Sequence, residues 1–165
     1  MRIGHQAMAY MHMKGSSQGG FLEDGSRAGK GRTLCLAVRF RGDVPHDVRR
    51  GKHAVTKHEP ISVIHPWSPA TAHFLCALWS NEVLDEVGFE FVRQDPGGKE
   101  EVYATLTLTE ATVAYAELRS GKTDDLVEGE HGTLGDVGLR AEKIEFTLKQ
   151  GSGQVTATYD RKQRS

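Results

Sequence analysis

The amino-acid sequence predicts a mainly β domain, a barrel or a sandwich, that carries one substantial helix. Three observations predict it. Apolar residues alternate with polar ones at a period of two in several separate stretches. Turn chemistry, such as Asp95-Pro96-Gly97-Gly98 and Gly151-Ser152-Gly153, separates those stretches. Only one segment, opened by Ser68-Pro69, spaces its apolar residues by three and four.

The elements follow in order. Residues 1–7 read as a disordered N-terminal extension, which leaves a single domain over 8–160. Ala9 to Lys14 predicts a short strand, and the glycine-punctuated stretch Ser16 to Gly31 a loop. Thr33 to Phe40 predicts one strand. Leu34, Leu36, Val38 and Phe40 take its buried face and Cys35 the other. Arg41 to Lys52 is a long polar and basic loop. Ala54 to Ile64 is again extended, with Pro60 marking an edge or a bulge because it cannot donate to a ladder.

Ser68 suits an N-cap, and Pro69 suits the first helical position. Ala70, Phe74, Leu75, Leu78 and Trp79 form the predicted buried stripe, with Trp79 read as core and Cys76 as core filler. Val87, Phe89 and Phe91 predict a strand, paired across Asp95–Gly98 with Val102, Ala104, Leu106 and Leu108. Ala111, Val113 and Tyr115 predict a further strand, and Ser120 to Gly135 an acidic, glycine-rich loop. Val137, Leu139 and Ala141 change phase to Ile144, Phe146 and Leu148, which predicts a bulge near Glu142-Lys143. Val155, Ala157 and Tyr159 make the last strand.

Composition bounds the function. The 165 residues are 38% hydrophobic and 26% charged, which favours a globular fold over disorder. No apolar run approaches the ~20 residues of a membrane span, and Met1 to Gly20 lacks the apolar core of a signal peptide. Two cysteines, Cys35 and Cys76, exclude a disulfide scaffold and a four-cysteine zinc site. The net charge of −1 gives no global bias toward nucleic acid. Residues 1–66 nevertheless carry 11 Lys+Arg against 5 Asp+Glu, and residues 67–165 carry 10 against 17. That division allows copies of the chain to meet through unlike faces.

No catalytic, metal or cofactor site is expected. His58-Glu59 begins an H-E-x-x-H pattern, but Pro60 breaks it and Ser62 stands where the second histidine belongs. The eight histidines read as surface or core-edge residues. Gly121-Lys122-Thr123 resembles the end of a phosphate loop, yet Ala116 replaces its first glycine. His73 and Cys76 are helical neighbours, and no serine lies in a G-x-S-x-G elbow. Glu100-Glu101 and Asp124-Asp125 sit beside turns and read as solvated. A hydrolase using His58 or Cys76 is the weakest reading.

Several motifs, taken in order, resemble the Hcp (hemolysin-coregulated protein) family of type VI secretion. They are Gly51-Lys52-His53 through His58-Glu59-Pro60, then Ser68-Pro69 and a helix ending Ala77-Leu78. Tyr103 to Leu108, followed by Glu110-Ala111-Thr112-Val113, is similar to a family strand-turn-strand. Glu142-Lys143-Ile144-Glu145-Phe146-Thr147 and Ala9 to Gly15 resemble two further family strands. Within this pattern His58, Pro60, Ser68, Pro69, Leu78, Ala111, Val113 and Ile144 are the structural motif residues. Glu110 stands where the family commonly has asparagine, and His65-Pro66-Trp67 replaces the usual approach to Ser68.

The resemblance implies a closed, tail-tube-like β-barrel flanked by one α-helix and a long extended loop. It implies a structural subunit, not an enzyme. Hexameric rings would stack into the inner tube of the type VI secretion system and be expelled with effectors in the lumen. Partners would be other copies of the chain, the contractile sheath, the spike, the baseplate and secreted effectors, with no nucleic acid and no membrane insertion. The chain would fold in the cytoplasm and leave through the machine without a signal peptide. Arg41, Asp43, Arg49, Arg50 and Lys52 are the expected ring-stacking or lumen residues. The alternatives are a ligand- or partner-binding β-barrel domain and a phage-tail-tube-like protein.

Overall fold

Antiparallel pairing joins almost every strand into one sheet. The computed structural model describes residues 9–21, 32–44, 56–121 and 133–164. The first strands are β1 (Ala9–Gly15), β2 (Gly19–Gly20), β3 (Thr33–Cys35) and β4 (Ala37–Arg39). Then come β5 (Gly42–Asp43), β6 (Lys57–His58), β7 (Ile61–Pro66) and the helix α1 (Pro69–Ser80). Four long strands follow: β8 (Leu84–Gln94), β9 (Glu100–Ser120), β10 (Thr133–Gln150) and β11 (Gly153–Asp160). A 3-10 turn, Arg161–Arg164, is the last described element. The predicted extension over residues 1–7 lies outside the described residues.

The main sheet runs β2-β1-β8-β9-β10-β7-β4. β10 serves two partners on its outer side. Its first part, Leu134 to Leu139, pairs with β7. Its last part, Lys143 to Gln150, pairs with β11. β3 hydrogen-bonds to β1, and β4 to β7. The single residue Leu36 links them, its N–H donating to the Ile64 carbonyl at 2.8 Å. Among the described residues the ladders make an open path and do not return on themselves.

Leu36 also overturns the predicted face of the Thr33–Phe40 strand. Thr33 and Cys35 are buried, Leu34 is half-buried and Phe40 is 47% exposed. The stretch serves two different strands, so it bends at Leu36 and changes phase. Beyond the bend only Val38 packs against the core.

β9 is one strand of 21 residues where the sequence predicts two. Leu108 and Ala111 are both fully buried although three residues apart, so one residue is surplus to the alternation. Glu110 absorbs it with φ 51, in the left-handed region. On β10 the phase changes between Ala141 and Ile144 as expected, but the ladder stays in register there. The register slips instead between Gly138 and Leu139. β10 begins at Thr133, inside the predicted loop.

α1 starts where predicted. Ser68 is extended, and its N–H donates to Thr71 Oγ1 at 3.0 Å. The buried residues are Ala70, Thr71, Phe74 and Ala77. Trp79 is 76% exposed and Cys76 is exposed, which corrects the expectation of core positions for both. Cys76 follows Phe74 by two residues, and Trp79 follows Ala77 by two. Two helical steps are about 200°, so both side chains point away from the sheet. Met11, Phe74, Leu84, Phe89, Leu108 and Leu139 form the centre of the core. Each stabilises the fold by roughly 1.5–3 kcal/mol on burial.

Candidate functional site

The expected stacking loop begins as a hairpin stem. Gly42 pairs with His58 and Asp43 with Lys57, and the Glu59 N–H donates to the Arg41 carbonyl at 3.0 Å. Arg41 and Asp43 are exposed at this stem, with Arg41 Nε 3.9 Å from Glu59 Oε1. Arg49, Arg50 and Lys52 lie outside the described residues. Pro60 sits between β6 and β7, where a missing donor is tolerated.

Ala111, Val113 and Ile144 are buried, and Leu78 packs against the core. Ser68 and Pro69 start α1. His58 lies between two rings, 5.4 Å from Phe40 and 4.3 Å from Tyr159. His73 is occupied with Gln18, Nδ1 to Oε1 2.8 Å, and stacks on Phe21 at 4.6 Å. Neither histidine is assembled with Cys76 into a nucleophile pair. Among the described residues no group of three or more His, Cys, Asp or Glu could hold a metal ion, and no helix is long and apolar enough to cross a membrane.

Two buried residues, His65 and Glu82, are ionisable, and no sequence pattern marks them as buried. His65, read as surface or core-edge, is 2% exposed. Burial lowers its pKa, against the opposing hydrogen bond to the Pro66 carbonyl and the charge of Asp136. Its ring covers Gly135, its cross-strand partner, where a Cβ would come within 2.6 Å of it. Glu82 is 7% exposed at the α1–β8 corner. Oε1 accepts the Ser17 and Gln18 N–H groups at 2.8 Å, and Oε2 the Gln18 Nε2–H at 2.6 Å. Burial alone would raise the pKa of Glu82; the donors of Gln18 and Ser17 outweigh it and hold the carboxyl below its ordinary value. Sequence pattern offers no signal for this, because the donors lie more than sixty residues away.

The surface that stands out is the wing formed by β10 and β11. Cross-strand rows carry the core's apolar face outward onto it. In one row Phe89 pairs with Leu106 and Leu106 with Phe146. Exposure along it rises from 1% to 5% to 41%. In the next, Ala104 faces Leu148 and Leu148 faces Val155, which is 75% exposed. β11 pairs only with β10 among the described residues. At the inner end of the wing lies a cleft of about 280 Å³. Ile61, Leu139 and Ile144 give it an apolar floor, and Arg140 and Arg161 line it. The last turn is tied down beside it: Arg161 Nη1 donates to Glu142 at 3.1 Å, and Lys162 Nζ to both Glu110 oxygens at 3.2 and 3.0 Å. The bond and charge of Glu110 raise the pKa of Lys162.

Residues 10–156 match the sequence model of the family described as "Type VI secretion system effector, Hcp". No match is found among curated proteins. Solved structures agree in fold. One described as Hcp protein superposes with a TM-score of 0.80 at 18% identity, covering 93% of this chain and 96% of that one. A variant of Hcp1 from E. coli EAEC 042 gives 0.75 at 19% identity, with 94% and 99% coverage. Secreted protein Hcp3 from Pseudomonas aeruginosa gives 0.70 at 20% identity, with 92% and 98% coverage.

Proposed function

Because the chain belongs to the Hcp family of type VI secretion system effectors, we propose that it is a non-enzymatic subunit of the inner tube of that machine. About six copies form a ring. Rings stack within the contractile sheath on the baseplate, and the tube leaves with the spike and with effectors held in its lumen. In this reading the chain folds in the cytoplasm and is exported by its own machine. The bent β3–β4 segment, bonded to β1 on one side and β7 on the other, closes the sheet into a barrel. Arg41, Asp43, Arg49, Arg50 and Lys52 meet the adjacent ring.

One observation carries the proposal. An apolar face runs out of the core onto β11, a strand with one ladder partner among the described residues. A free edge with Val155 75% exposed is an aggregation liability in a solitary protein. In a ring a neighbour covers it, and the same exposure becomes the interface. Multi-angle light scattering after size exclusion tests this. A mass near six times the 18.2 kDa protomer, with annular particles in negative stain, is the expected outcome. A monomer at tens of micromolar overturns the ring.

A further inference from the structure

The ring needs two unlike faces, because a closed cycle is built by a head-to-tail contact. The wing is one of them. The α1–β8 corner has the features of the other. Trp79 is 76% exposed and Val83 38% exposed, and Cys76 is exposed one helical turn before Trp79. Asp85 and Glu86 follow directly and are exposed. The corner is therefore an apolar knob with an acidic flank. The wing is an apolar strip of Phe146, Leu148 and Val155 ending in a cleft lined by Arg140, Arg161 and Glu59, where Arg161 is already paired with Glu142 and Arg140 is the base left to pair. Among the described residues Asp85 and Arg140 form no ion pair within the chain. The two surfaces are also placed apart. β8 starts at the corner, and β9 and β10 lie between β8 and β11. Three strand spacings, about 14 Å, separate β8 from β11, and two, about 10 Å, separate Asp85 on β8 from Arg140 on β10.

We infer that the α1–β8 corner of one copy seats on the β10–β11 wing of the next, Trp79 and Val83 against the apolar strip and Asp85 toward Arg140. This rests on the ring reading and names the contact that makes the ring. The occupant is a second copy of this chain because each surface supplies what the other lacks. Apolar area meets apolar area, and an acid without an internal partner meets a base in the same state. Each copy uses both surfaces once, so the contact propagates and does not stop at a dimer.

The chain's own thiols make the test direct. Cys76 is exposed at the corner, and Cys35 is fully buried. Full-length protein carrying Val155→Cys is oxidised mildly and run on a non-reducing gel, with its mass measured beforehand by light scattering. The expected result is a ladder of covalent multimers up to the ring, absent when Cys76→Ser is added. A ring by mass with no such ladder overturns this contact and leaves the ring standing. A monomer by mass overturns both. Charge exchange gives a second readout. Asp85→Arg is expected to weaken assembly at least tenfold, and Asp85→Arg with Arg140→Asp to recover most of it. Assembly unchanged by Asp85→Arg, or no recovery in the double variant, removes the charge pairing from the proposal.

Discussion

The inner side of the α1–β8 corner and the β10–β11 wing treat apolar surface and free backbone groups in opposite ways. At the corner Phe74, Ala77 and Leu84 are 0–1% exposed, and the N–H groups of Ser17 and Gln18 are met by Glu82. On the wing Phe146 is 41% exposed and Val155 75%, and the outer edge of β11 has no strand beside it among the described residues. One region is closed within the protomer, and the other leaves apolar surface and a strand edge open among the described residues. The stability of the single chain therefore resides at the corner, while the wing's apolar area is available for association.

The largest test compares one side chain in both regions. Phe74→Ala empties a closed core site and is expected to cost about 3–5 kcal/mol of protomer stability. Phe146→Ala loses area that is already part-hydrated, so the expected cost is under about 1.5 kcal/mol, with most of the effect on assembly. Urea unfolding at low concentration, beside the mass at high concentration, separates the two. Equal losses of protomer stability would erase the distinction between the regions.

A smaller effect probes how the corner is sealed. Glu82→Gln keeps the shape but removes the charge and replaces one accepting oxygen by an NH2, so that either Gln18 Nε2–H or the two backbone N–H groups lose their acceptor, at an expected cost of about 1–3 kcal/mol at neutral pH. The folded-state pKa of Glu82 lies below its ordinary 4.5. Its contribution is therefore full above pH 4.5 and lost as pH falls through the folded-state value. The gap between the two proteins in thermal or urea unfolding should narrow below that pH. A gap that stays constant from pH 7 to pH 3 would mean that the carboxylate charge contributes nothing.

How much of this was legible in the sequence follows from the range of the interactions. Ser68-Pro69 announced α1 because an N-cap is a local arrangement of a few residues. The alternation of Val87, Phe89, Leu106 and Leu108 announced the central strands because period two is imposed by the backbone itself. Period two puts Cys35 on the wrong face because its orientation depends on a bend at Leu36. That bend exists only because β1 and β7 lie on either side. Cys76 and Trp79 read as core because they are apolar, and nothing local says that the chain leaves them exposed. The wing looked like ordinary strand sequence for the same reason: Phe146, Leu148 and Val155 alternate as core residues do. What tells them apart is the absence of a covering layer, which no local pattern encodes.

The smallest predicted effect lies where the wing joins the rest of the sheet. Glu110 holds φ 51, a conformation that costs an L residue about 1–2 kcal/mol and that asparagine adopts more readily. The sequence resemblance marks the same position, since asparagine is common there in the family. Glu110 also holds Lys162 through both carboxylate oxygens, which keeps the last turn on β9. Glu110→Asn thus exchanges backbone relief for a lost exposed ion pair, and the two have different salt dependence. In ~1 M salt the Debye length is about 3 Å and the pair is screened. There the variant should be more stable than the parent by about 0.5–1 kcal/mol, with a smaller gain or none at low salt. Thermal melts of both proteins at two ionic strengths measure this. If the difference does not grow with salt, the backbone at Glu110 is under no strain that asparagine relieves, and the residue is there for Lys162 alone.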